Sequence, residues 1–163
     1  MKVFEERMNR LKVGQEPEDF PINGNLSLSD LKGCPIFLVF WKTLWTRCQQ
    51  EAPVIEKEIW QRFKDKGLKV FAIGVKENSD QASSWLKQHL LTYPVITDPE
   101  GQIYKSFGTG SVPFHIIIDK KFIIRHSDEK FDKDHLIRLL NDWRLNLKRN
   151  SHGKSEDLPR FQC

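Results

Sequence analysis

Residues 35–53 of this 163-residue chain read Pro35-Ile-Phe-Leu-Val-Phe-Trp41-Lys-Thr-Leu44-Trp45-Thr-Arg-Cys48-Gln-Gln-Glu51-Ala-Pro53. The opening run, residues 35–41, is uninterrupted apolar sequence, which is typical of a strand buried on both faces of a parallel sheet. A helix is predicted over residues 49–66, because Ile55, Ile59 and Phe63 recur at four-residue steps and Gly67 follows as a stop signal. We expect Pro53 to lie in its first turn or to bend it. The stretch therefore predicts a strand that leads directly into a helix.

The rest of the chain continues this alternation of strands and helices. Residues 69–75 form a second buried run, and Ser79 is predicted to cap the helix that follows. A short segment at residues 93–97 precedes the turn at residues 98–101. The order of strand, helix, strand and helix implies a right-handed parallel crossover.

The C-terminal third predicts a hairpin and a final helix. Residues 114–118 and 122–125 flank Asp119-Lys-Lys121, which is typical of a β-hairpin. Asp132 is a good N-cap for an amphipathic helix, whose apolar face is marked by Leu136, Leu139, Leu140, Trp143 and Leu147. Together these patterns predict one α/β sandwich with a mixed sheet.

Composition and charge favour a soluble chain. The formal charge of +4 comes from 26 basic and 22 acidic residues that are interleaved along the sequence, which argues against nucleic-acid binding. The charged N-terminus lacks the apolar run of a secretion signal, and no apolar run approaches the roughly 20 residues of a membrane span. Three cysteines are an odd number without close spacing, which argues against a disulfide framework. We therefore expect a cytoplasmic, reducing setting.

Several short motifs, taken in order, resemble the thioredoxin-like redoxins, which include the AhpC/TSA peroxiredoxins and the TlpA/ResA oxidoreductases. Residues 14–20 look like the opening G-x-x-x-P-x-F with the proline one place early, and residues 26–33 look like the loop that follows. Asp98-Pro-Glu-Gly101 and Val112-Pro113 also match. The resemblance implies a thioredoxin fold: a three-layer α/β/α sandwich around a mixed β-sheet with an N-terminal redoxin-type extension. The predicted organisation is an N-terminal segment at 1–12, a redoxin domain at 13–147 and a basic tail at 148–163.

The central motif resembles the TlpA-like pattern F-W-x-x-W-C-x-x-C-x-x-E-x-P without gaps, with two changes. Leu44 replaces the tryptophan that flanks the first cysteine. Trp45 stands where the first cysteine would be, and Cys48 matches the second, resolving thiol. By the same resemblance, Glu51 matches the acid of the motif, and Pro113 matches the cis-proline beside the active site. An internal disulfide needs a second cysteine within about 7 Å of Cys48 between Cα atoms. Ordinary thioredoxin turnover is thus excluded through this motif.

Each site residue has a functional and a structural interpretation. Cys48 is either a redox-active thiol, helped by the helix terminus and Arg47, or a semi-buried remnant. Trp45 either contacts a partner or covers the former site with apolar bulk. Glu51 either tunes the Cys48 proton or only matches the helix dipole. The groove residues predicted to bind substrate are Trp45, Thr46, Arg47, Val112 and Pro113, with Val112 presenting backbone groups to an extended peptide.

The other cysteines and the histidines give weaker signals. Cys34 is predicted to be a small core residue. Cys163 is predicted to be free, although it could fold back as a resolving thiol. The five histidines show no ligand spacing, so no metal and no cofactor is expected. The peroxiredoxin motif P-x-x-x-T-x-x-C is absent, because Trp41 and Trp45 occupy its proline and threonine positions.

Two functions remain open at the level of sequence. The first is a redoxin-family thiol-dependent oxidoreductase that acts through Cys48 on a protein or small-molecule thiol or disulfide, or on peroxide. It requires Cys48 to be accessible, and the helix-terminal position is expected to lower the pKa of the Cys48 thiol below the ordinary value of about 8.5. The second is a catalytically silent binding module that uses the groove of Trp45, Val112 and Pro113 for a peptide or protein. An exported location is the alternative to the cytoplasm if the chain is a mature form.

Overall fold

The computed structural model describes residues 12–150, with side chains as far as Asp142. Expectations for the first residues, for the basic tail and for Cys163 lie outside the described residues. The same holds for the side chains of Trp143 and Leu147. The domain boundaries therefore stay predictions.

The elements follow in the predicted order of strands and helices. The strands are β1 (Pro21–Asn23), β2 (Leu26–Ser27), β3 (Ile36–Trp41), β4 (Lys69–Val75), β5 (Val95–Asp98), β6 (Phe114–Ile118) and β7 (Ile124–Asp128). The helices are α1 (Thr46–Val54), α2 (Ser79–Gln88), α3 (Gln102–Lys105) and α4 (Lys133–Asn150). Helical backbone continues beyond α1 through residues 55–66, and a short helical turn, Leu28–Leu31, follows β2.

A five-stranded mixed sheet forms the centre, in the order β5-β4-β3-β6-β7. Strands β3, β4 and β5 are parallel to one another, whereas β6 and β7 run antiparallel to their neighbours. Strands β1 and β2 form a separate antiparallel pair. The α/β class and the thioredoxin-like mixed sheet predicted from the sequence are confirmed.

Successive side chains of β3 point to opposite faces of the sheet and contribute to two hydrophobic cores, one on each face. Phe37, Val39 and Trp41 pack under α1, α2 and α4. The intervening residues pack on the other face against residues 20–31 and the α3 region. All six residues of β3 are buried, because a central strand is covered on both faces. The side chain of Trp41, at the last position of β3, therefore lies on the same face as α1.

Several predicted boundaries need correction. The first helix begins at Thr46 rather than residue 49, so Cys48 lies inside its first turn. Pro53 is the eighth residue of α1, and the helix widens into a π-turn over Ile55–Trp60, which accommodates a proline that lacks an N–H.

Two further corrections concern a cap and a turn. Asn78, not Ser79, caps α2, because its side chain accepts a hydrogen bond from the Gln81 N–H. The hairpin turn is longer than predicted, because Phe122 has a left-handed φ of 65° and belongs to the turn. The N-cap at Asp132 is confirmed by its hydrogen bond from the His135 N–H.

Candidate functional site

A short loop joins β3 to α1 and sets the position of Trp45. The buried carboxylate of Glu77, just after β4, accepts a hydrogen bond of 2.7 Å from the Thr43 N–H. The Gln49 amide donates to the Thr43 carbonyl at 2.8 Å. One side chain from the segment after β4 and one from α1 therefore hold this loop at both backbone polar groups of Thr43.

Cys48 lies in the first turn of α1 but faces the core. Its side chain is 2% exposed, and its neighbours include Ala52 and Trp41. The pKa of the Cys48 thiol is raised to about 11, mainly by burial; a backbone hydrogen bond at Lys42 lowers it in part, and the charge of Glu51 adds to the rise. The expected lowering of the Cys48 pKa is thus wrong. Cys48 turns inward, where the loss of water disfavours the thiolate.

Trp45 and its neighbours form the outer surface of the site. Trp45 occupies the N-cap position with extended backbone, and 53% of its side chain is exposed. Leu44 is 91% exposed, and Thr46 and Arg47 are also exposed. Of the two interpretations of Trp45, this exposure favours an aromatic contact for a partner over an apolar cover of the former site.

The Val112–Pro113 peptide bond is cis, as the resemblance implies. Pro113 is buried and lines a small cavity together with Cys48 and Glu51. Trp41, Trp85 and Tyr93 form the apolar wall of this cavity, and the indoles of Trp41 and Trp85 stack with centroids 4.4 Å apart. Val112, which is half-buried, packs against both cores. The fold therefore brings Cys48, Glu51 and Pro113 together.

Glu51 is paired with a residue that sequence reasoning did not select. The Nε2 atom of His115 lies 2.8 Å from the Oε2 atom of Glu51, and the Nδ1 atom of His115 lies 3.2 Å from the Asp128 carbonyl oxygen. His115 is fully buried on β6, and the Glu51 side chain is 13% exposed. Because His115 and Glu51 are far apart in sequence, no spacing pattern could reveal the pair. The sequence did contain one sign of a functional role for His115, because it is the polar residue within the apolar run of β6, two positions after Pro113.

Glu77 was also missed by sequence reasoning. It closely follows a buried strand, and a carboxylate there can accept hydrogen bonds from the backbone of a neighbouring loop.

Cys34, predicted to be a core residue, is fully buried at the entry to β3 and is disulfide-bonded. The odd number of cysteines argues against a disulfide framework but does not exclude a single disulfide. Within residues 12–142, Cys48 is the free thiol, and no group of three His, Cys, Asp or Glu side chains is arranged to hold a metal. No helix in the described part of the chain is long and apolar enough to cross a membrane.

Comparison with known proteins assigns the family. The model of the AhpC/TSA family matches residues 13–127, most of the chain. The chain belongs to the AhpC/TSA family. One relative of this chain is the thiol-disulfide oxidoreductase ResA of Bacillus cereus (strain ATCC 10987), which is 30% identical over 115 residues. The match covers 68% of this chain and 66% of that protein. ResA of Geobacillus thermodenitrificans is 31% identical over 133 residues, covering 76% of each chain.

Solved structures share the fold of this chain. A putative protein disulfide isomerase from Bacteroides thetaiotaomicron superposes with a TM-score of 0.75 at 24% identity, covering 86% of this chain and 92% of that one. A putative thiol:disulfide interchange protein DsbE from Chlorobium tepidum gives a TM-score of 0.73 at 25% identity, covering 81% of this chain and 97% of that one. The AhpC/TSA chain thus has the fold of proteins whose names describe thiol-disulfide chemistry.

Proposed function

We propose that this chain is a thiol-dependent oxidoreductase of the redoxin family that acts on a cysteine-containing polypeptide through the single thiol of Cys48. The observation that carries the proposal is the shared cavity of Cys48, Glu51 and the cis-Pro113 residue. The names of the ResA relatives support the same class of reaction. The exposed Trp45 and the half-buried Val112 supply the surface on which an extended polypeptide binds.

The reaction that this site supports is one exchange step. The Cys48 thiol loses its proton to solvent, and the thiolate attacks one sulfur of the polypeptide disulfide. A mixed disulfide forms at Cys48, the original S–S bond breaks, and the second sulfur leaves as a thiolate that takes up a proton. An external thiolate then attacks the polypeptide sulfur of the mixed disulfide and forms a new disulfide with it, and Cys48 leaves as a thiolate that takes up a proton. The pKa of about 11 makes this step slow at neutral pH, because only about one thiol in ten thousand is ionised at pH 7.

A specific observation favours a second candidate, the silent binding module. Cys48 is 2% exposed, so a disulfide reaches it only after the wall of the site opens. Trp45 and Val112, by contrast, present surface without any rearrangement. In this second function, the redoxin groove holds an extended polypeptide and no sulfur chemistry follows.

One experiment separates the two functions. The full chain is mixed at pH 9 with a short peptide whose single cysteine is activated as a 2-thiopyridyl disulfide, and peptide mapping locates the adduct. An adduct at Cys48 that disappears in Cys48→Ser supports the oxidoreductase. The absence of a Cys48-dependent adduct excludes it.

The same peptide with alanine in place of cysteine tests the groove. Binding is measured by fluorescence anisotropy for the wild type, for Trp45→Ala and for Leu90→Ala, since Leu90 is a large apolar side chain that is even more exposed than Trp45 and lies on another loop. Binding that is weakened by Trp45→Ala alone, without an adduct at Cys48, assigns the binding module. Equal binding by the three chains, also without an adduct, excludes both functions for this peptide surface.

A further inference from the structure

The backbone of Val112 carries two polar groups that the fold leaves open. Neither its N–H nor its C=O has a hydrogen-bond partner among the described residues. Val112 is half-buried and directly precedes Pro113, which lines the Cys48 cavity. Backbone donors and acceptors pair with another group or with water, and an extended polypeptide pairs with them as an added strand does. These two groups are therefore what this side of the site offers to the main chain of a bound polypeptide.

A single hydroxyl group holds the peptide unit just before Val112. The Tyr104 hydroxyl accepts a hydrogen bond of 2.9 Å from the Gly110 N–H and donates one to the Ser111 carbonyl oxygen. Burial raises the pKa of Tyr104, so the hydroxyl keeps the proton that it donates. The Ser111 carbonyl and the Val112 N–H belong to one planar peptide unit. A bond that holds this carbonyl therefore also sets the direction of the Val112 N–H.

The Tyr104 ring is itself fixed by the rings and the loop around it. It packs edge-on against Phe40 of β3, with centroids 5.3 Å apart, and against Phe114 of β6, with centroids 6.3 Å apart. The backbone of Gly108 passes so close to the ring that a Cβ atom there would lie 2.2 Å from two of its atoms. The central sheet thus determines where the hydroxyl lies, and the loop that leads to Val112 folds closely around it.

We propose that Tyr104 is a positioning residue for polypeptide binding: through the Ser111 carbonyl, it holds the Val112 N–H in the direction from which a main-chain carbonyl of the bound polypeptide accepts. This role rests on the proposed function in either of its forms, because both place an extended polypeptide in the groove. Hydrogen bonds in a chain polarise one another, so the bond at the Ser111 carbonyl also makes the Val112 N–H a better donor.

The test compares three full-length chains: the wild type, Tyr104→Phe and Ser106→Ala. Tyr104→Phe removes the hydroxyl and keeps the ring. Ser106→Ala is the matched control, because the Ser106 hydroxyl donates to the Ile103 carbonyl at 2.8 Å in the same segment and makes no bond to the Ser111–Val112 peptide. Circular dichroism confirms that each chain is folded.

Three readouts are taken on each chain. Fluorescence anisotropy gives the Kd of the alanine peptide that tests the groove. Nitrogen-15 NMR gives the shift that this peptide causes in the Val112 amide proton. Iodoacetamide alkylation at pH 9 reports on access to Cys48 and needs no bound peptide.

The expected result is a loss of binding without a change at the thiol. Tyr104→Phe should weaken peptide binding about fivefold, the effect of one ordinary hydrogen bond, and should reduce the peptide-induced shift of the Val112 amide proton. The alkylation rate of Cys48 should stay at the wild-type value. Ser106→Ala should match the wild type in all three readouts. A purely structural role for Tyr104 would loosen the wall at Pro113, and alkylation would then change together with binding.

Three outcomes overturn the proposal: an unchanged Kd in Tyr104→Phe, an equal loss of binding in Ser106→Ala, or a change in alkylation that accompanies the loss. A wild-type chain that binds no peptide and forms no adduct at Cys48 removes the proposed function and this role with it. A wild-type chain that binds no more tightly than Tyr104→Phe removes this role alone.

A second variant decides should Tyr104→Phe not fold. Gly108→Ala keeps the Tyr104 hydroxyl but displaces it, because the added Cβ atom takes the place of the ring. The same loss of peptide binding and the same smaller shift at Val112 are expected. Wild-type affinity in a folded Gly108→Ala chain overturns the role of Tyr104.

Discussion

Trp45 is half exposed at the N-cap of α1, whereas Cys48, three residues later, is 2% exposed on the inner face of the first turn. The Trp45 carbonyl accepts the Gln49 N–H at 3.2 Å, so the helical hydrogen bonding begins at Trp45 itself. The two positions of the redoxin motif therefore differ sharply in access to water. Trp45, which the resemblance aligns with the first cysteine of the motif, is the open position, and Cys48 is the shielded one.

We predict that Trp45→Cys forms an internal disulfide with Cys48 under mild oxidation. Positions three apart in a helical turn have Cβ atoms about 5–6 Å apart. This is about 1–2 Å more than a disulfide spans, so a small shift of the N-cap backbone closes the bond. Because Trp45 is exposed, its replacement should change the free energy of unfolding by less than the loss of a core tryptophan. Non-reducing mass spectrometry after digestion detects the bond.

Leu44→Cys is the matched control for that prediction. Leu44 is exposed beside Trp45 but stands one residue too far from Cys48 for the C-x-x-C spacing. It should form no bond with Cys48. A folded Trp45→Cys chain that also forms none would show that Trp45 does not occupy the nucleophile position.

We predict that the alkylation rate of Cys48 rises about tenfold for each pH unit above neutrality and levels off near pH 11. Only the thiolate reacts, and burial raises the pKa of Cys48 to about 11. Iodoacetamide labelling followed by peptide mapping measures the rate, with Cys48→Ser as the blank. A plateau below pH 9 would mean that Cys48 is a low-pKa thiol, contrary to its shielded position.

We predict that the chain loses stability as the pH falls from about 6.5 towards 4. Burial lowers the pKa of His126 from 6.5 to about 4, and among the described residues its Nε2 atom has no hydrogen-bond partner. A histidine whose pKa is lower in the folded state contributes its full stability above the unfolded pKa and loses it as the unfolded chain takes up the proton. The loss from this residue is about 3 kcal/mol, measured by urea unfolding at several pH values.

His126→Gln should flatten this pH dependence. His135→Gln is the matched control, because the His135 ring lies 5.6 Å from that of His126 on the neighbouring helix. The control chain should keep the slope of the wild type. An unchanged slope in His126→Gln would assign the acid sensitivity to other groups.

We predict that Gly74→Ala lowers the free energy of unfolding by about 1–3 kcal/mol, as expected for overpacking. A Cβ atom at Gly74 would lie 2.8 Å from a ring atom of Trp41 and 3.0 Å from the Glu77 side chain. The shift should also disturb the stacked Trp41 and Trp85 rings, so tryptophan fluorescence should change. Urea titration and emission spectra give the two readouts.

Gly24→Ala serves as the control for Gly74→Ala. Nothing lies within 4 Å of a Cβ atom at Gly24, and its φ is not in the left-handed region. Its stability should stay close to that of the wild type. Equal losses in both variants would point to a general effect of replacing glycine and not to crowding against Trp41.

The apolar runs at residues 35–41 and 69–75 were sufficient to predict the buried parallel strands, since local pattern alone decides which segments are covered on both faces. The ungapped motif likewise placed Trp45 and Cys48 at the start of a helix, and the resemblance predicted the cis bond before Pro113.

What the sequence could not determine was the direction in which Cys48 faces and the partner that Glu51 meets. The raised pKa of Cys48 follows from burial under the sheet face that also carries Trp41, and the Glu51–His115 pair joins α1 to β6 across 64 residues of chain. Such contacts form only when the sheet brings distant segments together, because burial and electrostatic pairing depend on all the elements packed around a side chain and not on its neighbours in sequence.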